Sequence, residues 1–357
     1  MERESMPKGM FTQTACLLLE APLAIEQVEE VLEDYKLERG LGSEHPWEGS
    51  DRLLVPYRPE ADGWIMLDVV NRPWPDEMGG DEDDPKLLAY WMLGHFGSFT
   101  HAGSLERAIE QAWHWEAAER VATRHASFLR LRCWYNTGGD GHEAEDEADL
   151  MAPMAAEAFT PPQPDHRDAP DELGCMLTLA RRLMRLPGVL CYFNPGGEVV
   201  ADDRWFDQVV DTAAESEVLP LALWSNVRLF RVNDDWLLMD TVGNGQLGLP
   251  DVEAGFHGDH HDPNDVGTML RHLSWYLHRH GDIIDESDRV EGAGDLNWSV
   301  RRFTNALVIP PRPSVCLLPE DGREPPVQIF NRQLPDEERE EGFDDDDDDD
   351  EGEAWRG

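Results

Sequence analysis

The sequence predicts an α+β protein: two tandem ferredoxin-like βαββαβ modules packed together, followed by a disordered acidic C-terminal tail. Three observations lead there. First, Gly63-Trp64-Ile65-Met66-Leu67-Asp68-Val69-Val70-Asn71 returns as Asp235-Trp236-Leu237-Leu238-Met239-Asp240-Thr241-Val242-Gly243. Both copies run Trp, three large apolar residues, Asp, a β-branched residue, Val and a turn-former, and both soon reach a Pro-Asp, at Pro75-Asp76 and Pro250-Asp251. Such runs read as buried strands, and a repeated strand in a repeated setting points to a duplicated fold. Second, the elements around each copy follow the order β-α-β-β-α-β. Third, 357 residues suffice for two cores, whereas seven consecutive aspartates, Asp344 to Asp350, cannot pack against one another.

In the first half, Thr14 to Leu19 reads as a strand, and Pro22 opens a helix with Ile25, Val28, Val31 and Leu32 at helical spacing. Arg52 to Tyr57 is a strand, and Glu60-Ala61-Asp62-Gly63 turns into the signature strand. After the acidic loop Asp76–Asp84 comes a helix capped by Ser104, with Leu105, Ile109, Ala112, Trp113 and Trp115 marking it. Phe128 to Trp134 alternates as a strand. In the second half the same order comes from the strand Val189–Phe193, a helix from Asp203 to Ala214, and a strand Leu223–Val232. The second signature strand, a helix opened by Pro263-Asn264, and a last strand from Phe303 to Ile309 complete it. Leu173 to Leu186 is a leading helix. The first module spans 11–136, an acidic Pro/Gly-rich linker or insertion 137–171, the second module 172–330, and the tail 331–357.

Charge narrows the partners. Acids number 74 against 30 basic residues, a net charge of −44. From Asp336 to Gly357 fourteen acids stand against two arginines, so the tail holds −12 and the rest −32. Such a field repels nucleic acid and anionic membrane and attracts basic proteins or cations. Cys16, Cys133, Cys175, Cys191 and Cys316 are scattered, form no CxxC pair, and read as small buried hydrophobes in a reducing compartment. With no signal-peptide pattern and no apolar run of bilayer length, the chain is expected to be cytoplasmic.

Candidate chemistry is sparse. His257-Gly258-Asp259-His260-His261-Asp262 is the segment densest in metal ligands; His257, Asp259, His260 and His261 suit a transition metal, or else form a polar loop before the next helix. Asp68 and Asp240 hold equivalent positions, open either to acid–base work or to hydrogen bonding of an adjacent turn. Asn194-Pro195-Gly196-Gly197 and Gly243-Asn244-Gly245 lack the lysine and hydroxyl of a phosphate loop. Trp74 and Trp91, beside Asp76, Asp81, Glu82, Asp83 and Asp84, make a candidate partner-binding surface if exposed, and are core if not.

The strings Asp68 to Asp76, Gly94 to Phe99, Leu190 to Glu198, Leu223 to Phe230 and Met239 to Asn244 resemble the bacterial family described as domain of unknown function 4261. The resemblance runs from about Phe11 to Phe330 and excludes the tail. It brings no established catalytic residues to transfer, and no cofactor is expected. It implies a relationship to immunity proteins of interbacterial toxin systems, such as those of type VI secretion. The expected function is therefore a non-enzymatic, acidic binding protein that neutralises a cognate basic toxin. The alternatives are a metal-dependent hydrolase using the His257–His261 cluster and a non-enzymatic structural or stress protein.

Overall fold

The computed structural model describes residues 11–41, 46–78, 85–135, 167–330 and 332. The acidic residues Asp81, Glu82, Asp83 and Asp84, most of the stretch 137–171 and the poly-Asp tail lie outside the described residues. The chain forms two sheets with helices on their faces. The first comprises β1 (Gln13–Leu19), β2 (Glu38–Leu41), β3 (Asp51–Pro56), β4 (Gly63–Val70), β5 (Ser127–Tyr135), β6 (Val189–Asn194) and β7 (Val199–Ala201). Their order is β2-β3-β4-β5-β1-β6-β7, antiparallel throughout.

Helices cover both faces of this sheet, which explains why β1 is buried at every position and apolar without interruption from Ala15 to Leu19. Ala15, Leu17 and Leu19 face a core with α1 (Ile25–Val31), α5 (Ala169–Leu183) and α6 (Asp203–Glu215). Cys16 and Leu18 face a second core with α2 (Pro85–Met92), α3 (Ser104–Glu110) and α4 (Ala118–Ala122). A strand buried on both faces loses the hydrophobic alternation of a half-exposed one.

The second sheet holds β8 (Asn226–Arg231), β9 (Trp236–Val242), β10 (Asp251–His257), β11 (Arg289–Gly292), β12 (Leu296–Phe303) and β13 (Ser314–Pro319), ordered β11-β12-β13-β10-β9-β8. The pair β10–β13 is parallel. Helix α7 (Pro263–His280) lays Val266, Leu270 and Leu277 on Val252, Ala254, Phe256, Val315 and Leu317. Aspartates open the longer helices. Asp168, Asp202 and Asp262 each accept a backbone N–H of the first turn of α5, α6 and α7, and Pro follows within the first turn of α5 and α7.

The mixed α/β character and both signature strands, β4 and β9, stand as expected, but the two ferredoxin-like modules do not. Strand β1 lies between β5 and β6, whereas a ferredoxin-like module sets its first strand between its third and fourth. Strand β6, expected to open the second module, extends the first sheet, because its Cys191, Tyr192 and Phe193 pair with β1 and fill both of that sheet's cores. The expected last strand, Phe303 to Ile309, is a loop; β12 ends at Phe303 and β13 follows the proline run. Strand β10 is also new, and its Val252, Ala254 and Phe256 alternate into the core.

The signature aspartates are fully buried, and each is held by two arginines. Asp68 accepts from Arg130 Nε (3.1 Å) and Nη2 (2.7 Å), Arg132 Nη2 (3.0 Å) and the Gly49 N–H (3.0 Å). Asp240 accepts from Arg228 Nε (2.9 Å) and Nη2 (2.6 Å) and from Arg312 Nη2 (2.6 Å). In the sheets Asp68 is opposite Arg130 on the following strand, and Asp240 opposite Arg228 on the preceding one. The repeated strand thus recruits its arginine from opposite sides. Burial pushes both carboxyls up, but the paired arginine charges outweigh it and hold both below the usual carboxylate range. Both are structural ion pairs, and the acid–base reading finds no support in their fully paired geometry.

Two outcomes follow from these buried charges. Asp240→Ala leaves Arg228 and Arg312 without their shared acceptor and should cost ~3–5 kcal/mol in urea unfolding; a loss under about 1 kcal/mol would show that the pair does not hold the sheet. His95, with Nδ1 3.1 Å from Arg132 Nη1 and 3.2 Å from Glu48 Oε1, is pushed by burial from 6.5 down to about 4. Below pH 6.5 the unfolded chain binds a proton that the folded chain refuses until about pH 4. Stability should therefore fall as pH drops through that window, by up to about 1.4 kcal/mol per unit for this group. Urea midpoints at neutral and mildly acid pH should show this fall, and His95→Gln should flatten it.

Candidate functional site

On the face of the first sheet covered by α3 and α4, a groove of about 1200 Å³ runs between α3, the loop 111–117, α4 and the segment 74–77. Its walls include the apolar side chains of Leu105, Ile109, Ala112, Trp113, Trp115 and Ala118. Asp76, Glu77, Glu106, Glu110, Glu116 and Glu119 also line it, and among the described residues no Lys or Arg does.

Local chemistry fixes these walls. The Asp76 carboxylate accepts from the backbone N–H groups of Leu105 and Glu106, both at 2.8 Å, and so caps α3 from outside the helix. The Gly103 N–H donates to the Asp76 carbonyl at 2.7 Å. Gly103 has φ +73°, and a Cβ there would sit 2.7 Å from Arg107 Nη1. Ser104, expected to cap the helix, is instead its first residue and is buried. At the other wall, burial lowers the His125 imidazole, which stays neutral. Its Nδ1–H then donates to the Ala122 carbonyl (2.7 Å), and its Nε2 accepts from the Trp74 N–H (2.8 Å).

The loop after α3 is tied down on both sides of one exposed ring. Gln111 Oε1 accepts from the Leu229 N–H at 3.0 Å, and its Nε2 donates to the Leu229 carbonyl at 3.4 Å, so this amide pairs with the edge of β8. His114 has Nε2 2.9 Å from the Val200 carbonyl and stacks on Trp205 with centroids 3.5 Å apart. Trp115 is buried. Trp113, between them, is 69% exposed, and its Nε1–H donates to Gln111 Oε1 at 3.1 Å. It is not the core helix residue its spacing implied. Helix α3 ends at Glu110, and in any helix residues two apart do not share a face, so Trp113 and Trp115 cannot both point inward.

The residues expected to bind a partner are redistributed. Asp76 lines the groove, although its carboxylate is engaged by α3. Trp74 is 5% exposed and serves the core, edge-on to Phe96, Phe128 and Phe193 at 5.0–5.5 Å, because burying the indole against these rings outweighs presenting it. Trp91 is half-buried and donates Nε1–H to the Thr100 carbonyl at 3.2 Å. Asp81, Glu82, Asp83 and Asp84 lie outside the described residues. Sequence reasoning missed Glu106 with Glu110, at helical i,i+4 spacing, and Glu116 with Glu119 three apart, which were legible as acidic faces.

The histidine segment converges only in part. His257 Nδ1 accepts from the Asp259 N–H (3.3 Å), and His260 Nε2 meets Arg323 Nη2 (2.6 Å). His261 turns inward beside Trp298, with Nε2 3.6 Å from Asp321 Oδ2. The His257 and His260 rings pack against each other with centroids 4.8 Å apart, but among the described residues no group of three or more His, Cys, Asp or Glu is placed to hold a metal.

The model of the family described as domain of unknown function 4261 matches residues 240–318, from the buried Asp240 of β9 to Leu318 of β13. The chain is similar to that family over this stretch of the second sheet; the match covers neither the groove nor the wider span from Phe11 to Phe330. No curated protein and no solved structure matches the chain. Among the described residues no helix is long and apolar enough to cross a membrane.

Removing the outside cap should loosen this site specifically. Asp76→Ala is expected to cost ~1–2 kcal/mol and to speed amide exchange at Leu105 and Glu106, with α7 unaffected; unchanged exchange at both amides would rule out the capping role.

Proposed function

We propose that this protein is a non-catalytic binding protein that takes up a positively charged protein partner in the acidic groove, and that it acts as an immunity protein against a cognate basic toxin. The observation that carries the reading is the groove itself: six carboxylates and an exposed tryptophan, with no Lys or Arg among its described lining residues, in a chain of net charge −44. Excess negative charge accelerates encounter with a basic surface and rejects nucleic acid. The apolar floor and Trp113 supply what charge alone does not, a desolvated anchor that slows dissociation. A toxin that acts on nucleic acid carries a basic active-site groove, and an acidic surface of this kind would occupy it as a phosphate mimic.

The anchor in this reading is Trp113, not Trp74 or Trp91. The metal-hydrolase alternative is not carried forward, because among the described residues no group of three or more His, Cys, Asp or Glu is placed to hold a metal. A passive structural role makes a different prediction from immunity.

The test is co-culture of a deletion strain with its wild-type siblings. Immunity requires that the deletion strain be inhibited and that the wild-type gene restore it. A folded Glu106→Lys/Glu110→Lys variant should fail to restore it, since reversing two groove charges slows association about tenfold or more at low salt. Indifference of the deletion strain to its siblings would refute immunity. Full rescue by the charge-reversed variant would remove the groove from it.

A further inference from the structure

Several half-buried aromatic rings of this protein carry an arginine over their face. Arg182 lies 5.2 Å from the Tyr35 ring centre, Arg279 4.7 Å from that of Trp275, and Arg332 3.9 Å from that of Phe303. Trp113 is 69% exposed, yet among the described residues no cation covers it and none lines the groove beside it. The ring is also not loose. Its N–H is tied to Gln111, whose amide is itself fixed by two hydrogen bonds to Leu229, and the chain on its other side is held by stacked His114 and buried Trp115. Glu110 and Glu116, three residues to either side, line the same groove.

An indole face held still beside carboxylates is the environment that attracts a guanidinium. The ring's quadrupole draws the cation to its face, the carboxylates take its N–H groups, and immobilising the ring beforehand removes an entropic cost of binding. We infer that Trp113 is the docking platform for an arginine side chain of the partner, with Gln111 as the residue that positions the indole. This deepens the proposed function by naming the side chain the groove takes; it rests on that reading for the partner being a protein.

The probe is a fluorescently labelled hexa-arginine peptide, titrated by anisotropy against the full-length protein at low salt and at about 0.5 M, where diffuse attraction to the many other acids is screened. Trp113→Leu should weaken binding about three- to tenfold, and the loss should persist at high salt. Trp113→Phe should recover part of it, and hexa-lysine should bind more weakly than hexa-arginine to the wild type. Gln111→Ala should fall between wild type and Trp113→Leu, because the ring remains but is no longer held. Equal affinity of wild type and Trp113→Leu at both salt concentrations, or no binding to wild type, would overturn the inference. Peptide binding that depends on Trp113, together with a deletion strain unharmed by its siblings, would leave the arginine site standing and remove immunity alone.

Discussion

A chain of alternating buried charges joins the two sheets, and the rest of the architecture depends on it. Arg107 of α3 reaches Glu198 (2.5 Å), Glu198 reaches Arg228 (2.8 Å), and Arg228 holds Asp240 (2.6 Å). Asp240 shares Arg312 (2.6 Å) with Asp251 (3.0 Å). Taking these ions out of water is costly, and the cost is offset only when every partner is in place with good geometry. A shift of one sheet against the other would strand several charges at once. The turn carrying Glu198 is shaped to the same end: a Cβ on Gly197 would sit 1.9 Å from the Trp224 carbonyl, so only glycine lets this turn lie against the second sheet.

That network also sets the groove. Helix α3 forms one wall, and it reaches the second sheet directly through Gln111 at the β8 edge and indirectly through Arg107 to Glu198, whose other oxygen accepts from Arg228. The stretch similar to domain of unknown function 4261 supplies Asp240, Asp251 and Arg312 to the network, while the groove residues lie more than a hundred positions earlier. The similarity therefore concerns the scaffold that holds the groove wall in place. The groove's own acids and Trp113 lie outside the matched stretch.

The legible parts of the sequence were local. The signature strands, β1, β5, the Asp-capped α6 and the Pro-opened α7 follow from apolar runs, periodicity and caps that act within a few residues. The pairing of strands was not legible, since β6 carries the same kind of apolar run whether it opens a new module or extends an old sheet. Strand β13 hid behind Pro310, Pro311 and Pro313, and β10 between a glycine turn and a histidine-rich segment that drew the eye as ligands. At the site, Asp76 and the general acidity were visible. The exposure of Trp113 is hidden in the sequence because the apolar spacing from Leu105 to Trp115 continues past Glu110, where α3 ends.

Composition and local pattern alone determined a strongly acidic protein of mixed helices and strands with two Asp-bearing apolar strands and no apolar run of bilayer length, because charge, caps and strand propensity are properties of near neighbours. Which arginines those aspartates meet, which tryptophan faces solvent, and where the acids gather around it were decided only by tertiary structure. Arg130 lies 62 residues from Asp68, Arg312 72 from Asp240 and Leu229 118 from Gln111. Contacts at such separations depend on sheet order, and sheet order follows from how several cores fill together.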